Sequence, residues 1–135
     1  RPVELMMRRR SSSVFPKQKI KVLAPLSEEF GNNILELLKK NSDLDGIFAT
    51  SDVMAANIIR ACKKMGKRVP EDISIVGFDD TWISTLTYPS ITTIHQPVQE
   101  MCEYAIEAIV KKVKSEKVPS QVVFPVELID RESTK

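Results

Sequence analysis

Three clusters of polar side chains have the composition of a binding site, and each lies at the end of a short apolar run. They are Ser51 with Asp52 after residues 46–49, Asp79 with Asp80 after residues 73–78, and Thr92, Thr93, His95 and Gln96 around the end of residues 91–95. Carboxylate, hydroxyl and amide groups can hydrogen-bond a polyhydroxylated ligand. Carboxylates could also bind a hard cation.

A purely structural role is available for these clusters as well. Ser51 and Asp52 have the residue types of a helix cap, and Asp79 and Asp80 can end a strand and turn the chain. One such cluster would be weak evidence for ligand binding, but three clusters at successive strand ends favour a ligand-binding site. The sequence leaves both interpretations open at this point.

Several classes of active site lack the residues that they need. The chain has 4 glycines and no glycine-rich loop after an apolar run, so the phosphate- and dinucleotide-binding fingerprints are missing. His95 is the only histidine and has no predicted partner to orient it, which leaves a catalytic triad or a zinc site incomplete. We therefore predict no catalytic residue, no metal, no cofactor and no enzymatic activity.

The composition is that of an ordinary globular domain. The chain has 135 residues and is 42% hydrophobic and 28% charged, which is unlike a disordered segment. The net charge of +2 is too small to indicate that the chain as a whole binds nucleic acid. No apolar run approaches the roughly 20 residues needed to cross a membrane. Cys62 and Cys102 both lie in helical patterns, where we expect buried free thiols.

Apolar runs and helical periodicity alternate along the chain. Strand-like runs occupy residues 20–24, 46–49, 73–78, 91–95 and 122–129, and helical patterns cover residues 1–10 and follow Ser27, Ser51–Asp52 and Pro97, the last running to about Lys114. This alternation predicts an α/β fold, a doubly wound parallel sheet in three αβα layers. Ligands bind at the carboxyl ends of the strands in such sheets, where the three polar clusters fall.

Four segments together resemble the LacI/GalR family of bacterial transcription regulators. They are IFATSDVMA (47–55), VPEDISIVGFDDT (69–81), YPSITTIHQP (88–97) and VELIDREST (126–134), in the order and spacing of that family. The resemblance covers roughly residues 20–135 and implies the C-terminal part of the effector-binding core, a fold shared with periplasmic sugar-binding proteins. In that core a small molecule, usually a sugar or a nucleobase, binds between two lobes and changes DNA affinity.

The resemblance also implies how the chain is divided. Residues 1–96 would form the C-terminal lobe, residues 97–118 a helix that returns to an N-terminal lobe outside this chain, and residues 119–135 the last strand and tail back in the C-terminal lobe. The chain begins at Arg1 and is too short for both lobes, so we expect a piece of a longer protein. The helix at 97–114 should then expose an apolar face.

The resemblance implies a set of ligand-binding residues, at the positions of this chain that match the motifs of the family. The set is Asp79, Asp52, Ser51, Gln96, Arg1 and Leu26. Asp79 matches the first aspartate of a Gly-(Phe/Tyr)-Asp motif and is implied to accept hydrogen bonds from sugar hydroxyls, whereas Asp80 is implied to hold the turn. Ser51 stands where the family usually has Asn, Leu26 near a position that often holds an aromatic residue, and Arg1 near a helix arginine.

The resemblance also implies that dimer contacts lie on the helix after Ser51–Asp52 and on the loop after Asp80. The implied interface comprises Ala56, Arg60, Trp82, Ile83, Leu86 and Thr87. Trp82 is the only tryptophan, and an interface anchor and a plug in the core are both open for it.

The resemblance implies a cytoplasmic homodimeric repressor that senses a small molecule, with a sugar as the expected effector. Operator DNA would be bound by a helix-turn-helix domain that this chain does not contain. The alternative is a sugar-binding protein of a transport system with the same fold. The segment VELIDREST near the end of the chain favours the regulator.

Overall fold

The computed structural model describes residues 20–23 and 30–135 of the chain. Strands and helices alternate throughout these residues. In chain order they are β1 (Ile20–Leu23), α1 (Phe30–Lys40), β2 (Gly46–Ala49), α2 (Asp52–Lys64), β3 (Ser74–Asp79), α3 (Ile83–Leu86), β4 (Thr92–His95), α4 (Val98–Val113) and β5 (Glu127–Ile129). The helix predicted at 1–10, the helix start at Ser27 and the ligand residues Arg1 and Leu26 lie outside the described residues.

The strands form one sheet in the order of the chain, from β1 to β5. Neighbouring strands from β1 to β4 pair in parallel, and this parallel-dominated α/β sheet confirms the predicted fold class. β5 is antiparallel to β4, with Leu128 opposite Ile94. The strand predicted at 122–129 is too long, because pairing begins only at Glu127, and Pro125 has no amide hydrogen to donate to a neighbouring strand.

The hydrophobic core lies where α1 packs on α2 and α2 packs on β2 and β3. Ile34 and Leu38 are buried because apolar residues recur at four-residue spacing along α1. Ile58 and Cys62 continue the core at the same spacing along α2. The sheet contributes the buried side chains of Ile47, Ala49 and Ile75. The carboxyl ends of the strands are therefore held by a packed helical layer.

The two cysteines differ in their surroundings. Cys62 is buried, and burial raises the pKa of its thiol to about 11. Cys102 is exposed on α4, so the expectation of two buried thiols is wrong for this residue. Neither cysteine is in a disulfide bond.

Helix α4 differs from α1 and α2, because none of its residues is buried. Its exposed large apolar side chains are Val98, Met101, Ile106, Ile109, Val110 and Val113. The helix predicted at 97–114 and its exposed apolar face are thus both found. No helix among the described residues is long and apolar enough to span a membrane.

Candidate functional site

The predicted polar clusters meet at the carboxyl ends of β3 and β4. Asp79 ends β3 and stands opposite His95, the last residue of β4, in the parallel register. Asp52 opens α2 beside the same edge, and its Oδ1 lies 2.5 Å from the Thr93 hydroxyl on β4. Two neighbouring strand ends and one helix start therefore build the site.

Asp79 and Asp80 form a sharp backbone turn at the end of β3, which we call the Asp79–Asp80 elbow. Their φ angles are 100° and 53°, in a region that residues other than glycine rarely adopt. Aspartate tolerates this region better than most residues, but two in succession still hold strain that surrounding contacts must offset.

Asp52 is completely buried and holds the loop that follows the elbow. Its Oδ2 accepts hydrogen bonds from the backbone N–H of Thr81 at 2.6 Å and from the Thr81 hydroxyl at 3.0 Å. Its Oδ1 accepts a hydrogen bond from the Thr93 hydroxyl. Both carboxylate oxygens accept hydrogen bonds from groups inside the protein, and a ligand contact by Asp52 stays a prediction. This side chain supports the site without reaching its surface.

Gly77 on β3 leaves the space that the Asp52 carboxylate occupies. A Cβ atom at position 77 would overlap Asp52 Oδ1 and would come within 3.1 Å of the Ile91 side chain. A larger residue would push Asp52 away from Thr81 and Thr93. The requirement for this close approach explains the glycine in the VGFDD stretch.

Ser51 caps α2, as one of the two interpretations of its cluster predicts. Its backbone is extended, and its Oγ accepts a hydrogen bond from the Met54 N–H at 3.2 Å. A hydroxyl in this position satisfies an N–H group that would otherwise lack a partner in the first turn. A ligand contact by Ser51 stays a prediction.

Asp79 and Gln96 form a hydrogen-bonded pair in the half-buried part of the site. Gln96 Nε2 donates to Asp79 Oδ1 over 2.9 Å, while Asp79 Oδ2 has no hydrogen bond to the described residues. Burial raises the pKa of the Asp79 carboxyl above its ordinary value, and the nearby charge of Asp52 adds to this effect, although the hydrogen bond from Gln96 opposes it. Asp79 thus presents a partly desolvated acceptor.

Asp80 is held from two sides. Its Oδ1 accepts a hydrogen bond from Arg131 Nη2 at 2.7 Å, and its Oδ2 lies 3.0 Å from His95 Nδ1. Partial burial by itself would raise the pKa of Asp80, but the hydrogen bonds and charges of Arg131 and His95 outweigh it and hold this pKa below its ordinary value. These contacts agree with a structural role for Asp80. The expectation that His95 lacks an orienting partner is wrong.

Sequence reasoning gives no role to Thr93 or Arg131 individually. Thr93 belongs to the third polar cluster, but its partner Asp52 lies 41 residues away, beyond the reach of local patterns. Arg131 follows a short strand in the segment VELIDREST. The local sequence there has no pattern that distinguishes a buried arginine from an exposed one. Only 18% of its side chain is exposed, which marks it as part of the site.

The residues predicted for a dimer contact lie on and around α2 and α3. Trp82 and Leu86 are 71% and 72% exposed, so Trp82 does not plug the core. Arg60 is also exposed. Ala56, Ile83 and Thr87 are half-buried. A dimer contact through these residues stays a prediction.

The fold and this sheet edge define a class of protein. Residues 10–134 match a family model described as a periplasmic binding protein-like domain. The chain belongs to this family.

The curated relatives of the chain narrow the class of protein within this family, because they are transcription regulators. It is 37% identical over 100 residues to a ribose operon repressor from Halalkalibacterium halodurans and 42% identical over 101 residues to the HTH-type transcriptional regulator MalR from Clostridium butyricum. The matches cover 73% and 75% of this chain but only 30% of each relative. The resemblance to LacI-type regulators is thereby confirmed, for a chain that spans 30% of their length.

Solved structures give the same assignment. A complex of the transcriptional regulator CelR with cellobiose superimposes with a TM-score of 0.73 at 32% identity, over 77% of this chain and 32% of that one. A LacI-type regulator from Alkaliphilus metalliredigens with D-xylulofuranose gives 0.72 at 35% identity, over 82% and 42%. A lac repressor dimer bound to operator gives 0.72 at 28% identity, over 78% and 37%.

Proposed function

We propose that this chain is the C-terminal lobe of the effector-binding core of a LacI-type transcription regulator, and that it binds a sugar at the carboxyl ends of β3 and β4. The observation that carries the proposal is Asp79 Oδ2 at this sheet edge, which accepts no hydrogen bond from residues 20–23 and 30–135. Two solved relatives hold cellobiose and D-xylulofuranose, which supports a sugar as the ligand. The relatives named above are regulators, so the transport alternative is not favoured.

Asp79 and Gln96 supply the polar contacts in this proposal. A carboxylate oxygen accepts hydrogen bonds from sugar hydroxyls, and the Gln96 amide offers both a donor and an acceptor. The pair already satisfies part of its own hydrogen bonding, so the ligand meets groups that are oriented before it arrives. Partial burial strengthens each hydrogen bond to the Asp79 carboxylate relative to one in water.

The division of the chain is part of the proposal. Residues 1–96 and 119–135 form this lobe, and residues 97–118 cross to a second lobe that lies outside this chain. The exposed apolar side chains of α4 support the crossing, because a helix that completes another lobe has no reason to bury its apolar face here. β5 supports the return, since it pairs with β4 at the edge of the sheet.

The remaining partners follow from the regulator assignment. We place the full-length protein in the cytoplasm as a homodimer, with operator DNA bound by a domain outside this chain. A solved relative is a dimer on its operator, which supports both partners. The effector alters operator affinity because it binds the two conformational states of the core with different affinities.

A thermal-shift screen of the full-length protein against cellobiose, lactose, maltose, ribose and sucrose tests the proposal. A sugar that binds the native state raises the unfolding midpoint in a concentration-dependent way. The same sugar should change the affinity for operator DNA in a fluorescence anisotropy titration. An unfolding midpoint that responds to none of these sugars would contradict the assignment of a sugar effector.

A further inference from the structure

Arg131 reaches the candidate site from the far end of the chain. It follows β5 in the C-terminal segment, which we define as residues 130–135, and 18% of its side chain is exposed. Its guanidinium donates to Asp80 Oδ1 at 2.7 Å, to the Ile91 carbonyl at 2.9 Å and to the Ser84 hydroxyl at 3.0 Å. One planar group therefore ties the elbow to the residue before β4 and to α3.

The C-terminal segment is itself fixed to the sheet. The Arg131 N–H donates to the Thr92 hydroxyl at 2.9 Å. Ser133 is fully buried, and its hydroxyl donates to the Ile75 carbonyl and accepts from the Thr92 N–H. The Ile75 N–H donates to the Ser133 carbonyl at 2.8 Å. Because β4 pairs with β3 only from Val76 onwards, Ser133 supplies the hydrogen bonds that Ile75 would otherwise lack.

The elbow needs such a fixed partner. Asp79 and Asp80 both have positive φ angles, and neither is a glycine, so the backbone gains by relaxing unless contacts on the side chains prevent it. Asp80 is bound by Arg131 on one oxygen and by His95 on the other. Asp79 is the preceding residue, so relaxation of the backbone at Asp80 would also disturb the hydrogen bond between Asp79 and Gln96.

We propose that Arg131 is a positioning residue that holds the Asp79–Asp80 elbow in its left-handed conformation and so sets the affinity of the site for a sugar. This inference rests on the proposed function, since it takes Asp79 as the ligand contact. Arg131 acts through Asp80 and does not touch the ligand. Arginine suits the role because its fork of donors can engage Asp80, Ser84 and the Ile91 carbonyl at once, whereas lysine offers a single point charge.

Three variants of the full-length protein test this role. Arg131→Met removes all three hydrogen bonds that the guanidinium donates, and Arg131→Lys keeps the charge but places its donors on a single nitrogen. Glu132→Gln is the matched control, because Glu132 lies in the same segment but binds Ser90, away from the elbow. Cellobiose, lactose, maltose, ribose and sucrose are titrated by calorimetry. Hydrogen exchange is measured by mass spectrometry on peptides that span residues 76–86.

Arg131→Met should weaken sugar binding by about tenfold or more and speed exchange in the peptide that contains Thr81. Arg131→Lys should recover part of both effects, and Glu132→Gln should match the wild type in both. If Arg131→Met does not fold, Arg131→Lys alone must still show weaker binding and faster exchange. Wild-type affinity in an Arg131→Met protein, or slow exchange at the elbow, would overturn the inference. So would an equal loss in Glu132→Gln.

The design separates this inference from the proposed function. If the wild-type protein binds none of the sugars, the proposed function fails, and the role of Arg131 in sugar affinity fails with it, whatever the exchange data show. If the wild-type protein binds a sugar and Arg131→Met binds it equally well, only the positioning role fails.

Discussion

Asp79 and Asp80 are adjacent residues of one type, yet their surroundings separate their roles. Burial and the charge of Asp52 raise the pKa of Asp79, whereas Arg131 and His95 hold the pKa of Asp80 below its ordinary value despite partial burial. Asp79 has one oxygen without a hydrogen bond to the described part of the chain, and both oxygens of Asp80 are held by partners. The two residues differ more in their partners than in their burial, and this difference supports the proposed ligand contact at Asp79 and the proposed supporting role of Asp80.

The raised pKa of Asp79 predicts a cost to folding. The folded-state pKa exceeds the unfolded value, so the ionised form is disfavoured in the native state, and this penalty is present at pH 7. Asp79→Asn removes the charge and tolerates a positive φ angle, so we expect a higher midpoint of thermal unfolding at pH 7. The gain should shrink as the pH falls through the raised folded-state pKa of Asp79 and should be gone below the unfolded pKa of about 3.9, because the carboxyl is then protonated in both states.

Thermal unfolding of the wild-type and Asp79→Asn proteins across this pH range checks the prediction. Asp72→Asn is the control, because interaction with Arg68 lowers the pKa of Asp72 to about 2. Asp72→Asn should lower the midpoint of thermal unfolding at pH 7. A carboxyl whose folded-state pKa is lowered stabilises the native state when it is ionised, and the variant loses that contribution. A lower midpoint for Asp79→Asn at pH 7, or a gain that does not change with pH, would contradict the account.

At the scale of elements, α4 is a helix that leaves its apolar face exposed. Its apolar residues recur at helical spacing, as they do in α1 and α2, but none of them is buried. Helical periodicity predicts that a face needs covering, and it does not say which part of a protein covers it. The exposed Cys102 on this helix has the same explanation, since its pattern is that of a core residue.

The exposed face of α4 predicts that the isolated chain of 135 residues associates with itself. Ile106 and Ile109 are each 64% exposed, and covering them removes apolar surface from water. We expect a dimer or a larger species in size-exclusion chromatography with light scattering. Ile109→Glu should shift the chain toward the monomer. Lys111→Gln, which changes the net charge by the same amount on the opposite, polar side of α4 where Lys111 pairs with Glu107, should not. A wild-type chain that is monomeric at high concentration would argue against this view of α4.

At the scale of the whole molecule, local patterns in the sequence predict the elements well and their long-range contacts poorly. The strands at 46–49, 73–78 and 91–95 agree with the structure to within one residue, because apolar β-type runs between turn residues are a local signal. The strand predicted at 122–129 is too long, and its antiparallel pairing depends on a partner some thirty residues earlier in the chain. Orientation and pairing of that kind leave no local trace.

The candidate site shows the same division. The position of Asp79 at a strand end follows from the sequence, because the carboxyl edge of a parallel sheet is predictable once the strands are known. The burial of Asp52 does not follow, since it depends on Thr81 and Thr93, which lie 29 and 41 residues away. Arg131 is farther still, 51 residues from Asp80. Burial of a charged residue is visible only after these partners have come together.

Calorimetric titration of the full-length protein tests the central claim most directly. The titrant is the sugar that gives the largest thermal shift, and the proteins are the wild type, Asp79→Asn and Asp72→Asn. Removing a charged acceptor from a hydrogen bond to the ligand costs about 1.5–3 kcal/mol, so Asp79→Asn should bind roughly ten- to a hundredfold more weakly. Asp72 lies before the opposite end of β3, so Asp72→Asn should keep wild-type affinity. An unchanged dissociation constant in Asp79→Asn would contradict the assignment of this carboxylate as the ligand contact.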